Sequence, residues 1–128
     1  QLEAGTTASD FEFLPVDVNL QRCLRYYQNS FNVGNFPGVS TSSDDSVITT
    51  SWLDGNAPFT SFSSEMRSAP SVTLRARGST TTGQVNNGGT NRSASATNIS
   101  NKSISYIAVT SGTASQFNAF TFELDGEI

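Results

Sequence analysis

The chain has 128 residues, a formal net charge of −4 with seven basic side chains, no histidine and one cysteine. That length closes one hydrophobic core; the few scattered Lys and Arg exclude a nucleic-acid partner, the lack of histidine removes the commonest general base and metal ligand, and a lone cysteine permits no intrachain disulfide. Ser and Thr supply 35 residues and charged residues only 14%, a hydroxylic composition suited to short strands joined by many turns, and no apolar run approaches the roughly 20 residues of a membrane helix.

Residues 1–16 combine Thr6-Thr7, the alternation Phe11-Glu12-Phe13 and Pro15 with three acids and no base. They predict an extended lead-in arm, packed either on its own sheet or on a neighbouring subunit. The spacing of Leu20, Cys23, Leu24, Tyr27 and Phe31 predicts a single helix over 17–30 with those side chains in one buried stripe. Asp17 is placed to cap its start and Arg22 and Arg25 to suit its negative end, while Gln21 and Gln28 face away. A turn-rich and Ser/Thr-rich loop follows to Asp44-Asp45.

Ser46 to Leu53 predicts a strand that stops at Asp54-Gly55-Asn56, and Phe59 to Met66 alternates weakly. In Ser71 to Arg77, Val72, Leu74 and Ala76 share one face, the mark of a half-buried strand. Asn86-Asn87-Gly88-Gly89 predicts a hairpin tip. The strand from Arg92 to Ile99 is poor in large side chains and is expected at a sheet edge. Ser103 to Thr110 and Gln116 to Leu124 complete the set, the last with Phe120, Phe122 and Leu124 on one face. The whole predicts a mainly β chain: an antiparallel β-sandwich, jelly-roll-like, with one early helix packed on it, residues 17–128 forming one domain.

Three stretches carry a resemblance. Leu20-x-x-Cys23-x-Arg25-Tyr26-Tyr27, preceded by Gln1-Leu2-Glu3-Ala4-Gly5 and Phe11-Glu12, resembles a motif near the C-termini of bacteriophage tail fibre and related virion tail proteins, and Glu65-Met66-Arg67-Ser68-Ala69-Pro70-Ser71-Val72-Thr73-Leu74 is similar to the strand that follows the helix there. The matches cover roughly the first half of the chain. The resemblance implies a β-sandwich distal domain on a homotrimeric fibre, joined to upstream modules of a longer protein, in a virion that contacts the host surface. It brings no catalytic residues with it.

Candidate sites follow from side-chain chemistry. Asp44, Asp45, Asp54, Asp125 and Glu127 offer oxygen ligands to a hard cation or a carboxylate pair for glycoside hydrolysis, but no Asp-x-Asp-x-Asp-Gly spacing is present, and the acids read as solvated loop residues. Cys23 lies on the apolar stripe with no histidine to activate it, and reads as a small buried hydrophobe. Asn91, Asn98 and Asn101 begin glycosylation-type triplets that chance supplies in so Asn/Ser-rich a chain. Trp52 beside Asp54 and Asn56 pairs an aromatic face with hydrogen-bonding groups, as a sugar with apolar C–H faces requires; packing in the core or an interface is the competing use. The amide-rich tip with Asn86, Asn87, Asn91 and Arg92 is a contact loop or an ordinary hairpin turn.

The reading is a trimeric, non-enzymatic adhesin that contacts a host-surface glycan or protein through those seven residues, with no metal or cofactor, no nucleic-acid partner and no membrane insertion. A structural knob that only closes the fibre is the alternative, and a polysaccharide depolymerase tip the third.

Overall fold

A computed structural model of the protein describes residues 14–32, 35, 46–52, 55–59 and 61–127. The elements are α1 (Val16–Leu24), β1 (Tyr27–Asn29), β2 (Val47–Thr50), β3 (Ala57–Pro58), β4 (Ser71–Ala76), β5 (Gln84–Asn87), β6 (Thr90–Ile99), β7 (Ile104–Val109) and β8 (Phe117–Asp125). The protein is mainly β, and every strand pairing is antiparallel.

β8 organises the sheet. Its C-terminal half is flanked by β1 on one edge and β4 on the other, and its N-terminal half by β2 and β5 in the same arrangement. From β5 the sheet continues through β6 and β7 to β3 and curls until its inner surfaces meet as a sandwich. The period-2 pattern explains why this works: Phe120 pairs with Val47 and Ala76, Phe122 with Leu74, and Leu124 with Val72, so the strands around β8 present their apolar residues on the same face. Val85, Ile104, Ile107, Val109 and Met66 join them in one core. The half-buried Phe59 packs against it, stacked on Phe120 at 6.2 Å and edge-on to Phe122 at 5.3 Å. Each large side chain so buried contributes roughly 1.5–3 kcal/mol before its ordering entropy is subtracted.

Several sequence-based expectations are corrected. The helix runs over Val16–Leu24, not 17–30, and none of its residues is buried. Leu20 is 57% exposed, Cys23 and Tyr27 are exposed, and only Leu24 and Phe31 of the expected stripe are half-buried. Helical spacing identifies a stripe but not what covers it. Pro15, rather than Asp17, occupies the N-cap with φ −53° and ψ 144°, no side-chain bond caps it, and Asp17 lies in the first turn where its charge suits the positive end.

The chain leaves the helix early because Tyr27–Asn29 pair with Asp125–Glu123 of β8. Gln28, expected to face away, is buried there. Its Nε2 donates to the carbonyls of Leu24 at 2.9 Å and Ser64 at 2.7 Å, and its Oε1 accepts from the Ser63 N–H at 3.1 Å and hydroxyl at 2.7 Å. One amide thus closes the helix terminus and ties it to the 63–64 segment.

Among the described residues of the expected strand Phe59–Met66 none lies in a strand; Ser61 makes an isolated bridge with Ser103, Phe62 N–H donates to Lys102 O and Met66 N–H to Asn101 O. Of the strand expected at an edge, Thr90–Ser93 pairs with β5, while over Ala94–Ile99 β6 pairs with β7 and no described strand pairs with its other side, as expected; Ala94 and Ala96 are packed on the core. The hairpin tip falls where expected, as a two-residue Gly88-Gly89 turn with φ +56° and +90°. The arm residues 1–13, Asp44, Asp45 and Asp54 lie outside the described residues.

Candidate functional site

Three connections meet at one end of the sandwich: residues 51, 52, 55 and 56 after β2, the Gly88-Gly89 turn, and residues 110–116 between β7 and β8. A buried polar network fixes them. Asn87 is 2% exposed; its Oδ1 accepts from Thr113 N–H at 2.8 Å and its Nδ2 donates to Asn118 Oδ1 at 3.0 Å. Ser51 Oγ accepts from Gln116 N–H at 3.0 Å and lies 3.0 Å from the Thr113 carbonyl. Asn56 Oδ1 accepts from Val109 N–H at 2.9 Å, and its carbonyl accepts from Trp52 N–H at 2.8 Å. Gly55, at φ +83°, lies so close to Gly112 that a Cβ would stand 2.4 Å from that residue's carbonyl carbon. These loops are therefore tied to strand ends by buried amides, the arrangement that holds a contact surface in place.

Trp52 stands on this frame, 47% exposed, with its ring 5.7 Å from that of Tyr106 at a tilt of 46°. Tyr106 projects from β7 opposite Pro58 on one side and Thr97 on the other. The two rings make an aromatic wall that is open to solvent on one side. Tyr106 was not among the sequence candidates, because within Ile104–Val109 it reads as one more strand aromatic; its pairing with Trp52 is a cross-sheet fact with no local signal.

The other candidates separate by role. Asn56 and Asn87 spend their side-chain oxygens on the frame and are scaffold residues. Asn86 and Asn91 face each other across the hairpin, with Asn86 Nδ2 donating to Asn91 Oδ1 at 2.9 Å and Asn86 Oδ1 accepting from Gly89 N–H at 3.0 Å. They lock the tip, and Asn91 is exposed. Arg92 pairs with Val85, whose side chain is in the core, so it lies on the opposite face of β6 from Asn91; it is half-buried and its Nε has no partner. The structure brings Trp52, Asn56 and Asn87 to one end and sets Arg92 apart.

Among the described residues no three His, Cys, Asp or Glu side chains converge. Asp125 Oδ1 accepts from Glu127 N–H at 2.9 Å, a local turn. Glu123 is ion-paired with Arg75, both largely buried, and also accepts from the Tyr27 hydroxyl at 3.4 Å. The Cys23 thiol is free and exposed, not buried as expected. Comparisons of the chain with family models, with curated proteins and with solved structures returned no match.

Proposed function

We propose that this chain is a distal domain of a virion tail fibre, a non-enzymatic adhesin that holds a host-surface glycan against Trp52 and Tyr106. The observation that carries the reading is the exposure of Trp52 on a frame built to keep it still. A large aromatic left half in water costs the fold burial that it would otherwise gain, and a sugar ring supplies the missing apolar face through its C–H groups while its hydroxyls bond to nearby polar groups. The exposed residues Thr110, Ser111 and Asn91 bring polar side chains to the same loop end. The resemblance of the first half of the chain to tail fibre proteins supports the setting: a virion, upstream fibre modules, and a homotrimer.

Trimerisation suits a shallow site. A sugar held by one aromatic wall binds at about 1 mM, near −4 kcal/mol, and three co-presented sites raise avidity by roughly 10²–10⁴. A second reading, a structural knob that only closes the fibre, is favoured by one observation: Val16 and Leu20 of α1 are exposed apolar residues on one side of a helix. Binding of the domain to host cells and to a glycan array, for wild type and Trp52→Ala, tests the choice. Binding by wild type and its loss in the variant support the adhesin; a trimer that binds neither cells nor glycans supports the knob.

A further inference from the structure

Strand alternation gives β6 and β7 two different faces. Ala94 and Ala96 pair with Val109 and Ile107, and all four pack on the core. The residues between them therefore face outward, Ser95 beside Ala108 and Thr97 beside Tyr106. Ser93 continues the row, its carbonyl accepting from Thr110 N–H at 2.9 Å. Ser93, Ser95 and Thr110 are exposed, and Thr97, Tyr106 and Ala108 are half-buried. This outer face begins at the Trp52–Tyr106 wall and runs back to the loop end, where Asn91 is exposed on the same side of β6.

These elements add no charge to it. β3, β6, β7 and the 110–116 connection hold one charged side chain, that of Arg92, and its pairing with the core residue Val85 puts it on the inner side of β6. Each class of ligand makes a different demand on such a face. A protein partner is met by large aromatic side chains, Met and Arg, whereas Ser and Ala are depleted from interfaces. A phosphate or carboxylate gives up its water only against a cation, and the net charge of −4 opposes an anion further. An uncharged sugar chain needs groups that both donate and accept, as Ser and Thr hydroxyls do, with apolar spots between them, which Ala108 and the two rings supply. From Tyr106 to Thr110 the face extends about 14 Å at the rise of an antiparallel strand, longer than one sugar ring.

We propose that the outer face of β6 and β7 is an extended binding site for an uncharged oligosaccharide, anchored at Trp52 and Tyr106 and crossing Ala108 and Ser95 toward Ser93 and Thr110. This rests on the adhesin reading above and adds to it the charge and the length of the ligand. The wall holds one sugar and the hydroxyl row holds the next, while the lack of cations selects against uronic acids, sialic acids and phosphorylated sugars.

Titration of the full chain with neutral hexose oligosaccharides of increasing length, and with uronic-acid oligosaccharides of matched length, tests this by NMR of the backbone amides and the Trp52 indole. Affinity for the neutral chains is expected to rise at least about tenfold from the single sugar to the longest chain, with the Ser95, Ala108 and Thr110 amides shifting along with the indole. The acidic chains are expected to bind at least about tenfold more weakly. Ser93→Ala/Ser95→Ala is expected to lower the affinity of the longest neutral chain about tenfold with the melting temperature kept, since both side chains are exposed. Acidic chains bound as tightly as neutral ones, or neutral chains whose shifts stop at Trp52 and Tyr106, overturn the extended neutral site and leave the adhesin reading standing. Ser95 and Ala108 amides that shift when the protein alone is diluted overturn it as well, since a second copy then covers the face. Binding of none of the oligosaccharides overturns the inference, and the adhesin reading falls with it only if the wild type also fails to bind host cells.

Discussion

Asn87→Ala removes the centre of the network that fixes the loop end. The Asn87 side chain is 2% exposed and holds Thr113 N–H at 2.8 Å and Asn118 Oδ1 at 3.0 Å. Truncation strands the Thr113 donor and the Asn118 acceptor, and Asn118 Nδ2 is already without a partner, so that a fully buried amide is left with no side-chain bond. Each buried polar group left unsatisfied costs about 1–3 kcal/mol, which sets the expected loss at about 2–5 kcal/mol, offset where water enters the space. At roughly 3–5 °C per kcal/mol for a domain between the reference sizes, the melting temperature falls by about 10 °C or more. Urea unfolding followed by far-ultraviolet circular dichroism gives the free energy, with Asn91→Ala as the control: its bond to Asn86 is solvent-exposed, and its loss is expected to cost within about 0.5 kcal/mol. Asn87→Ala and Asn91→Ala of equal stability would refute the network as the element that fixes these loops.

Gly55→Ala is expected to lower stability by about 2 kcal/mol or more, because the residue sits at φ +83° and its Cβ would meet Gly112 backbone at 2.4 Å; an unchanged denaturation midpoint would contradict the close approach. Gln28→Ala is expected to cost about 2–4 kcal/mol, since Leu24 O, Ser64 O and Ser63 lose their shared partner, and urea unfolding checks it. In α1 the half-buried Leu24 is expected to lose about 1–2 kcal/mol on replacement by Ala, below the 2–5 kcal/mol of a full core site, whereas Leu20→Ala, at 57% exposure, shows no change in the monomer's thermal scan. Arg75→Ala leaves Glu123 largely buried without its cation, a loss of about 3 kcal/mol by the same assay.

The strands were legible where one face alone meets the core. Val72, Leu74 and Ala76 alternate against exposed or paired polar residues, as do Phe120, Phe122 and Leu124, and the Gly-Gly tip marks a tight hairpin. The helix boundary was not legible, because Tyr27 and Phe31 continue the helical stripe while β8 claims Tyr27–Asn29 for a strand. That competition is tertiary. For β6, small residues read as an edge signal, which holds over Ala94–Ile99, where no described strand pairs with the side away from β7; the pairing of Thr90–Ser93 with β5 has no local signal. At the candidate site, Trp52 was legible by residue type. Asn56 and Asn87 were not separable from contact residues, since an amide that holds a loop and an amide that holds a sugar have the same composition, and Tyr106 has no local signal because it meets Trp52 and Pro58 only through the tertiary fold.

Trp52 is the single tryptophan of the chain, so its fluorescence reports the site without labelling. The most direct measurement is a titration of the full chain with host-surface polysaccharide, read at the tryptophan emission and repeated with Tyr106→Ala. A saturable change in emission in wild type, weakened at least about tenfold in Tyr106→Ala with the melting temperature kept, is the predicted result. Saturable binding to host cells with the Trp52 emission unmoved would contradict the aromatic wall as the receptor site.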